Sequence, residues 1–130
     1  MSLTTEGIEA EQMGRLLLKP RGWNLQQIDW IGEKDNEWVV FEIKNRALFT
    51  PPPFLGTGLD ITQIYLRNKL REAFGLRTML IVFRKNTDEV YCQYIDVLEE
   101  GPHFDTKNKI RIYPVESFSM ITWTATNEAL

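Results

Sequence analysis

Apolar and polar positions along this chain change period several times, and each change marks an element. From Thr5 to Leu18 the apolar residues Ile8, Met13, Leu16 and Leu17 recur at a rough helical spacing. Thr4 or Thr5 can cap this helix, and Glu6, Glu9 and Glu11 crowd the end where the helix dipole favours negative charge. Pro20 and Gly22 stop it. The period then shortens to two. Trp23 to Ile31 and Glu37 to Lys44 read as strands, joined by the polar turn Glu33-Lys34-Asp35-Asn36. Thr50 to Gly58 holds three prolines and two glycines, a composition that predicts an irregular loop. Asp60 to Phe74 returns to helical spacing through Ile61, Ile64, Leu66, Leu70 and Phe74, with Asp60 as N-cap and Gly75 as C-cap. Arg77 to Phe83 is a near-continuous apolar run, expected of a strand covered on both faces. Glu89 to Val97 reads as the next strand and Ile110 to Val115 as a shorter one, and residues 121–130 read as a tail.

This order has a topological consequence. The helix between the second and third strands is a crossover, so those two strands should run parallel. The expectation is an α/β fold with a mixed central sheet flanked by helices, and residues 1–130 as a single domain.

Composition narrows the function classes. Of 130 residues, 43% are hydrophobic and 25% charged, enough apolar material for a real core. The net charge of -3 removes the general basic character of a protein that coats nucleic acid non-specifically. It does not count against a site that is itself acidic, and Arg67, Lys69, Arg71 and Arg77 form a local basic segment. The single Cys92 excludes an internal disulfide and a cysteine-based zinc site, and its place in a strand-like run predicts a packed thiol. His103 is the one histidine and receives no catalytic role. Trp23, Trp30, Trp38 and Trp123 are expected in core or interface packing. The chain lacks an apolar run of roughly 18 residues, and its polar, acidic start does not resemble a secretory leader. A cytoplasmic location is the expectation that follows.

The chemistry concentrates in Glu37-Trp38-Val39-Val40-Phe41-Glu42-Ile43-Lys44-Asn45. Side chains i and i+2 of a strand share a face, so Glu42 and Lys44 project together, opposite Val39, Phe41 and Ile43. If this strand forms a hairpin with the preceding one, Asp29 converges on Glu42 beside Lys44. Two carboxylates and an amine at one sheet edge suit a divalent ion and an activated water. Asp29 and Glu42 would bind Mg²⁺ or Mn²⁺, the carbonyl of Ile43 would add a ligand, and Lys44 would orient the water and offset developing charge. Read singly, each residue has a plainer meaning: Glu42 and Lys44 as a solvated ion pair, Asp29 as a surface acid beside a turn.

Asp29 followed by Glu42-Ile43-Lys44 after an apolar run resembles the PD-(D/E)XK, or restriction-endonuclease-like, nuclease superfamily. The proline of that pattern is replaced by Ile28. Gly7-Ile8-Glu9-Ala10-Glu11, Leu16-Leu17-Leu18 and Gly22-Trp23 resemble the first helix of small Holliday-junction-resolvase-like members. The resemblance covers about Gly7 to Phe83. It implies a three-layer core, a helix glutamate that organises the metal site (Glu11 the best match, Glu9 the second), and a polar residue from the second helix at the site, here Gln63. It further implies DNA contacts by Asn45, Arg46, Arg67, Lys69 and Arg71, DNA rather than RNA as substrate, and homodimers acting on branched DNA. Two other classes stay open: a DNA-binding or accessory module that keeps the fold without turnover, and a structural protein in which Glu42 and Lys44 are merely an ion pair.

Overall fold

In the computed structural model the chain runs through helix α1 (Thr5–Leu18), a 3₁₀ turn (Lys19–Arg21), strands β1 (Trp30–Lys34), β2 (Glu37–Arg46) and β3 (Gly56–Asp60), and helix α2 (Ile61–Phe74). Strands β4 (Arg77–Arg84), β5 (Glu89–Tyr94), β6 (His103–Asp105) and β7 (Ile110–Pro114), a second 3₁₀ turn (Val115–Ser117) and β8 (Ser119–Thr122) follow. The structure describes residues 5–52, 54–98, 103–107 and 109–123. Five strands form the main sheet in the order β1-β2-β4-β5-β8, and β3-β7-β6 form a smaller one. The expected parallel pair is present: β2 and β4 run together with Glu42 beside Leu80 and Lys44 beside Val82. The other pairings in both sheets are antiparallel. A mixed α/β architecture with helices beside the central sheet is what the alternation of periods called for.

The β1–β2 hairpin turns on Asp35 and Asn36, both in the left-handed region at φ 53° and 66°. Asp and Asn tolerate that conformation better than most residues, and the Glu33 carboxylate accepts from the Asn36 amide at 2.8 Å. The turn is tighter than expected, because Glu33 and Lys34 belong to β1 and pair with Trp38 and Glu37. The first strand also begins later than its alternation suggests, at Trp30 rather than Trp23. Its next rung is a side chain: Asp29 Oδ2, not a backbone carbonyl, accepts from the Ile43 amide at 2.8 Å.

Helix α2 is closed at both ends as its sequence indicates. Asp60 accepts from the Thr62 amide at 2.8 Å and the Gln63 amide at 3.4 Å. Gly75, at φ 70°, donates to the Arg71 carbonyl.

The irregular loop expected over 50–58 is shorter than its composition implied, because Gly56 and Gly58 lie inside the buried strand β3. These glycines permit close approach. A Cβ on Gly58 would sit 1.7 Å from the Arg111 carbonyl oxygen, and one on Gly56 would sit 2.3 Å from that of Tyr113. The expected tail also starts later: Ile121 and Thr122 belong to β8 and pair with Val90 and Glu89, while 124–130 lie outside the described residues.

The core lies on both faces of the main sheet. On one face Leu80, Val82 and Tyr91 pack with Leu59 of β3, Tyr113 of β7 and Ile64 of α2. On the other, Val39, Met79, Ile81, Val90 and Cys92 pack with Phe41, Ile43 and Tyr94. Burial pushes the Cys92 thiol up to about 11, so it stays protonated near neutral pH, in keeping with a packing role. The apolar stripe of α1 is not part of either cluster. Ile8, Met13, Leu16 and Leu17 are exposed, Leu16 at 75%. The four tryptophans are not core residues either, with Trp23, Trp30, Trp38 and Trp123 all more than half exposed. No helix among the described residues is long and apolar enough to cross a membrane.

Gly58→Ala is expected to destabilise the fold by about 1–3 kcal/mol or more, since the obstacle is backbone and cannot rotate away. Urea denaturation would measure it, and an unchanged midpoint would contradict the close approach of β3 and β7.

Candidate active site beneath helix α2

The hairpin register carries Asp29 to the position across from Glu42, one step beyond the Trp30–Phe41 pair. Glu42 and Lys44 lie on one face of β2, as the strand period requires. That face is the one α2 covers. Glu42 is 2% exposed and Lys44 half-buried, while Asp29 remains exposed with one carboxylate oxygen on the Ile43 amide. Continuing the register one step sets Asp29 opposite Glu42, with Lys44 on the same face of β2.

What the sequence did not disclose is the partner of Glu42. Arg67 of α2, 3% exposed, donates through Nε to Glu42 Oε1 at 2.9 Å and through Nη2 to the same oxygen. Its Nη1 donates to Gln26 Oε1, and Nη2 also donates to the Gln27 carbonyl at 2.7 Å. Arg67 thus spans three elements: α2, β2 and the segment just before Asp29. The expectation that Arg67 contacts DNA phosphates is corrected by this burial, since its donors are turned inward onto protein acceptors. A helical wheel placing Arg67 one turn after Gln63 on the face toward Glu42 was the available signal. The basic run around it concealed that signal.

The remaining expected residues are distributed as follows. Gln63 is half-buried on α2, one turn from Arg67 and so on the same side of the helix. Glu11 is exposed on α1. No three His, Cys, Asp or Glu side chains among the described residues come together as a ready metal cluster, so Glu11 and Glu9 do not join Asp29 and Glu42 in this arrangement. Asn45 is exposed and Arg46 half-buried, and burial lowers the affinity of the Arg46 guanidinium for its proton. Lys69 is exposed with its Nζ 4.9 Å over the Tyr65 ring, and Arg71 is exposed on the same helix. A hydrogen bond to Tyr65 holds the Lys69 amine above the ordinary lysine range.

The donor set suits a hard divalent cation in kind: carboxylate oxygens of Asp29 and Glu42 and a backbone carbonyl at Ile43. The bond between Glu42 and Arg67 is direct evidence that this buried carboxylate requires a positive charge beside it. In this conformation a guanidinium supplies that charge. Two surface concavities, of about 380 Å³ and 420 Å³, lie elsewhere: one beside Tyr65, Asn68 and Arg71, the other beside Gly32, Phe41 and Met79. Neither is lined by Asp29, Glu42 or Lys44.

The geometry so far defines a mixed α/β domain with an acid facing an acid-x-lysine pair across a hairpin. Comparison with known proteins adds one structural likeness. The chain resembles a Holliday junction resolvase, Hjc of the archaeal hyperthermophile Archaeoglobus fulgidus, with a TM-score of 0.48 and 10% identity over 83% of this chain and 88% of that one. No protein-family model and no curated protein sequence matches the chain.

The Glu42–Arg67 pair should behave as a coupled unit. Arg67→Met or Glu42→Leu alone is expected to cost about 3–5 kcal/mol, because each strands a buried charge. The double variant should lose far less than the sum. Urea denaturation of the four proteins tests this, and strictly additive losses would show the two groups to be independent.

Proposed function

We propose that this domain is a metal-dependent endonuclease of the PD-(D/E)XK type that hydrolyses DNA phosphodiester bonds, with branched DNA as its substrate class. The observation that carries the reading is the hairpin register that sets Asp29 across from Glu42, with Lys44 on the same face of β2. Asp29, Glu42 and the Ile43 carbonyl would hold Mg²⁺ or Mn²⁺. Once bound, such an ion polarises a phosphoryl oxygen and lowers the pKa of a water. Lys44 has no carboxylate within ion-pair distance among the described residues, which leaves its amine available to orient that water and offset charge on the phosphate. Gln63 would support the site from α2. Asn45, Arg46, Lys69 and Arg71 would hold the DNA backbone in register.

A second reading is a DNA-binding module that keeps the fold without turnover. One observation favours it: Glu42 is already engaged by Arg67. Labelled linear, flapped and four-way-junction DNA incubated with Mg²⁺ or Mn²⁺ separates the two. The wild-type protein should cleave at least one of these substrates, and Lys44→Ala should reduce the rate about a hundredfold or more. DNA bound but left intact at saturating metal would favour the second reading.

The active form we propose is a homodimer. The exposed apolar residues of α1 supply a surface that a monomer leaves in water. Sedimentation velocity should give the mass of two copies, and Leu16→Glu should shift it to one. A monomeric wild-type protein at micromolar concentration would count against it.

A further inference from the structure

We propose that Arg67 is a latch on the cation site, so that a divalent ion and the Arg67 guanidinium compete for the Glu42 carboxylate. The inference takes Glu42 as a metal ligand, as in the nuclease reading above. Three observations carry it. First, the two side chains are almost wholly removed from water, at 2% and 3% exposure, so a charge that leaves must be replaced. Second, Nε and Nη2 of Arg67 both donate to one oxygen, Glu42 Oε1, and hold the carboxylate against α2. A guanidinium and a divalent cation on one buried carboxylate repel each other strongly where water cannot screen them. Third, the same guanidinium binds Gln26 and the Gln27 carbonyl, three and two residues ahead of Asp29. One side chain therefore fixes both elements that carry the acids.

Arg67 makes the metal-free state self-sufficient. Its two hydrogen bonds to Glu42 Oε1 bring the positive charge a metal would otherwise supply, and the other two, to Gln26 and the Gln27 carbonyl, hold the guanidinium in place. The latch is a positioning device: it sets how much Mg²⁺ is needed and does not touch the phosphate.

The test is Mg²⁺ titration by calorimetry of the wild-type protein, Arg67→Lys and Glu42→Gln, with no DNA and no turnover. Lysine keeps the balancing charge, so the variant folds, but it loses the two-point grip of the guanidinium. Arg67→Lys is expected to bind Mg²⁺ about tenfold tighter than wild type or more, the scale on which groups around a ligand tune metal affinity. A merely structural arginine would leave the affinity equal or weaken it, and either result overturns the latch. Glu42→Gln separates the two ideas. If it abolishes binding while Arg67→Lys gains nothing, the latch fails and the nuclease reading stands. If it binds Mg²⁺ as wild type does, or if wild type and Arg67→Lys both fail to bind, the two fail together. A second measurement needs no variant beyond assignment. The Arg67 Nε–H resonance of the wild-type protein should shift and lose its protection from solvent exchange as Mg²⁺ saturates. An unchanged, protected resonance at saturation overturns the proposal.

Discussion

A carboxylate taken out of water must be given a cation, and in this protein that requirement ties the fold together. Glu42 sits in the middle of β2, between an apolar core on one side and α2 above. Arg67 meets its charge and, with the donors left over, fastens the chain that leads into β1. Buried ion pairs seldom stabilise a fold more than apolar packing would, because both charges first lose their hydration. The pair at this sheet centre therefore adds little over apolar packing, yet removing either partner would strand the charge of the other.

The hairpin is the second constraint. Its two-residue turn at Asp35 and Asn36 sets the register from Lys34–Glu37 to Trp30–Phe41. A slip of one residue would turn Asp29 to the other face and separate it from Glu42. The Asp29 carboxylate then replaces a backbone rung by accepting from Ile43. An acid used to end a strand is held at a definite height along β2, which is where the adjacent carboxylate stands. The parallel partner β4 completes the arrangement by laying Leu80 and Val82 beside Glu42 and Lys44, so the polar pair is bounded by apolar side chains on that side.

The surface of the domain is uneven. The face beneath α2 is filled by the small sheet and the helix, whereas α1 carries an apolar stripe that buries against neither core cluster. Exposed Trp30 and Ile31 lie on β1, an edge strand whose outer side has no neighbour in the sheet among the described residues. Edges of this kind are stable in water only when charged or covered, and Glu33 and Lys34 provide the charge at one end. The uncovered end is the one next to Asp29, which links any surface that covers it to the site itself.

Much of this was determined by the sequence alone, because it depends on period and on local chemistry. Alternation along 37–44 put Glu42 and Lys44 on one face, the crossover helix implied a parallel neighbour, and Asp60 and Gly75 marked both ends of α2. These are properties of residues near one another in the chain. Other features belonged to the tertiary structure. Gly56 and Gly58 read as loop residues because nothing local reveals the Arg111 and Tyr113 carbonyls that crowd them. Trp23 to Ile28 alternate like a strand, yet among the described residues they pair with no strand, and Gln26 and the Gln27 carbonyl accept from Arg67 of α2 instead. Arg67 read as one basic residue among several. Only the packing of α2 on β2 turned it inward, because the need for a cation at Glu42 arises from burial, and burial is decided by residues far away in the chain.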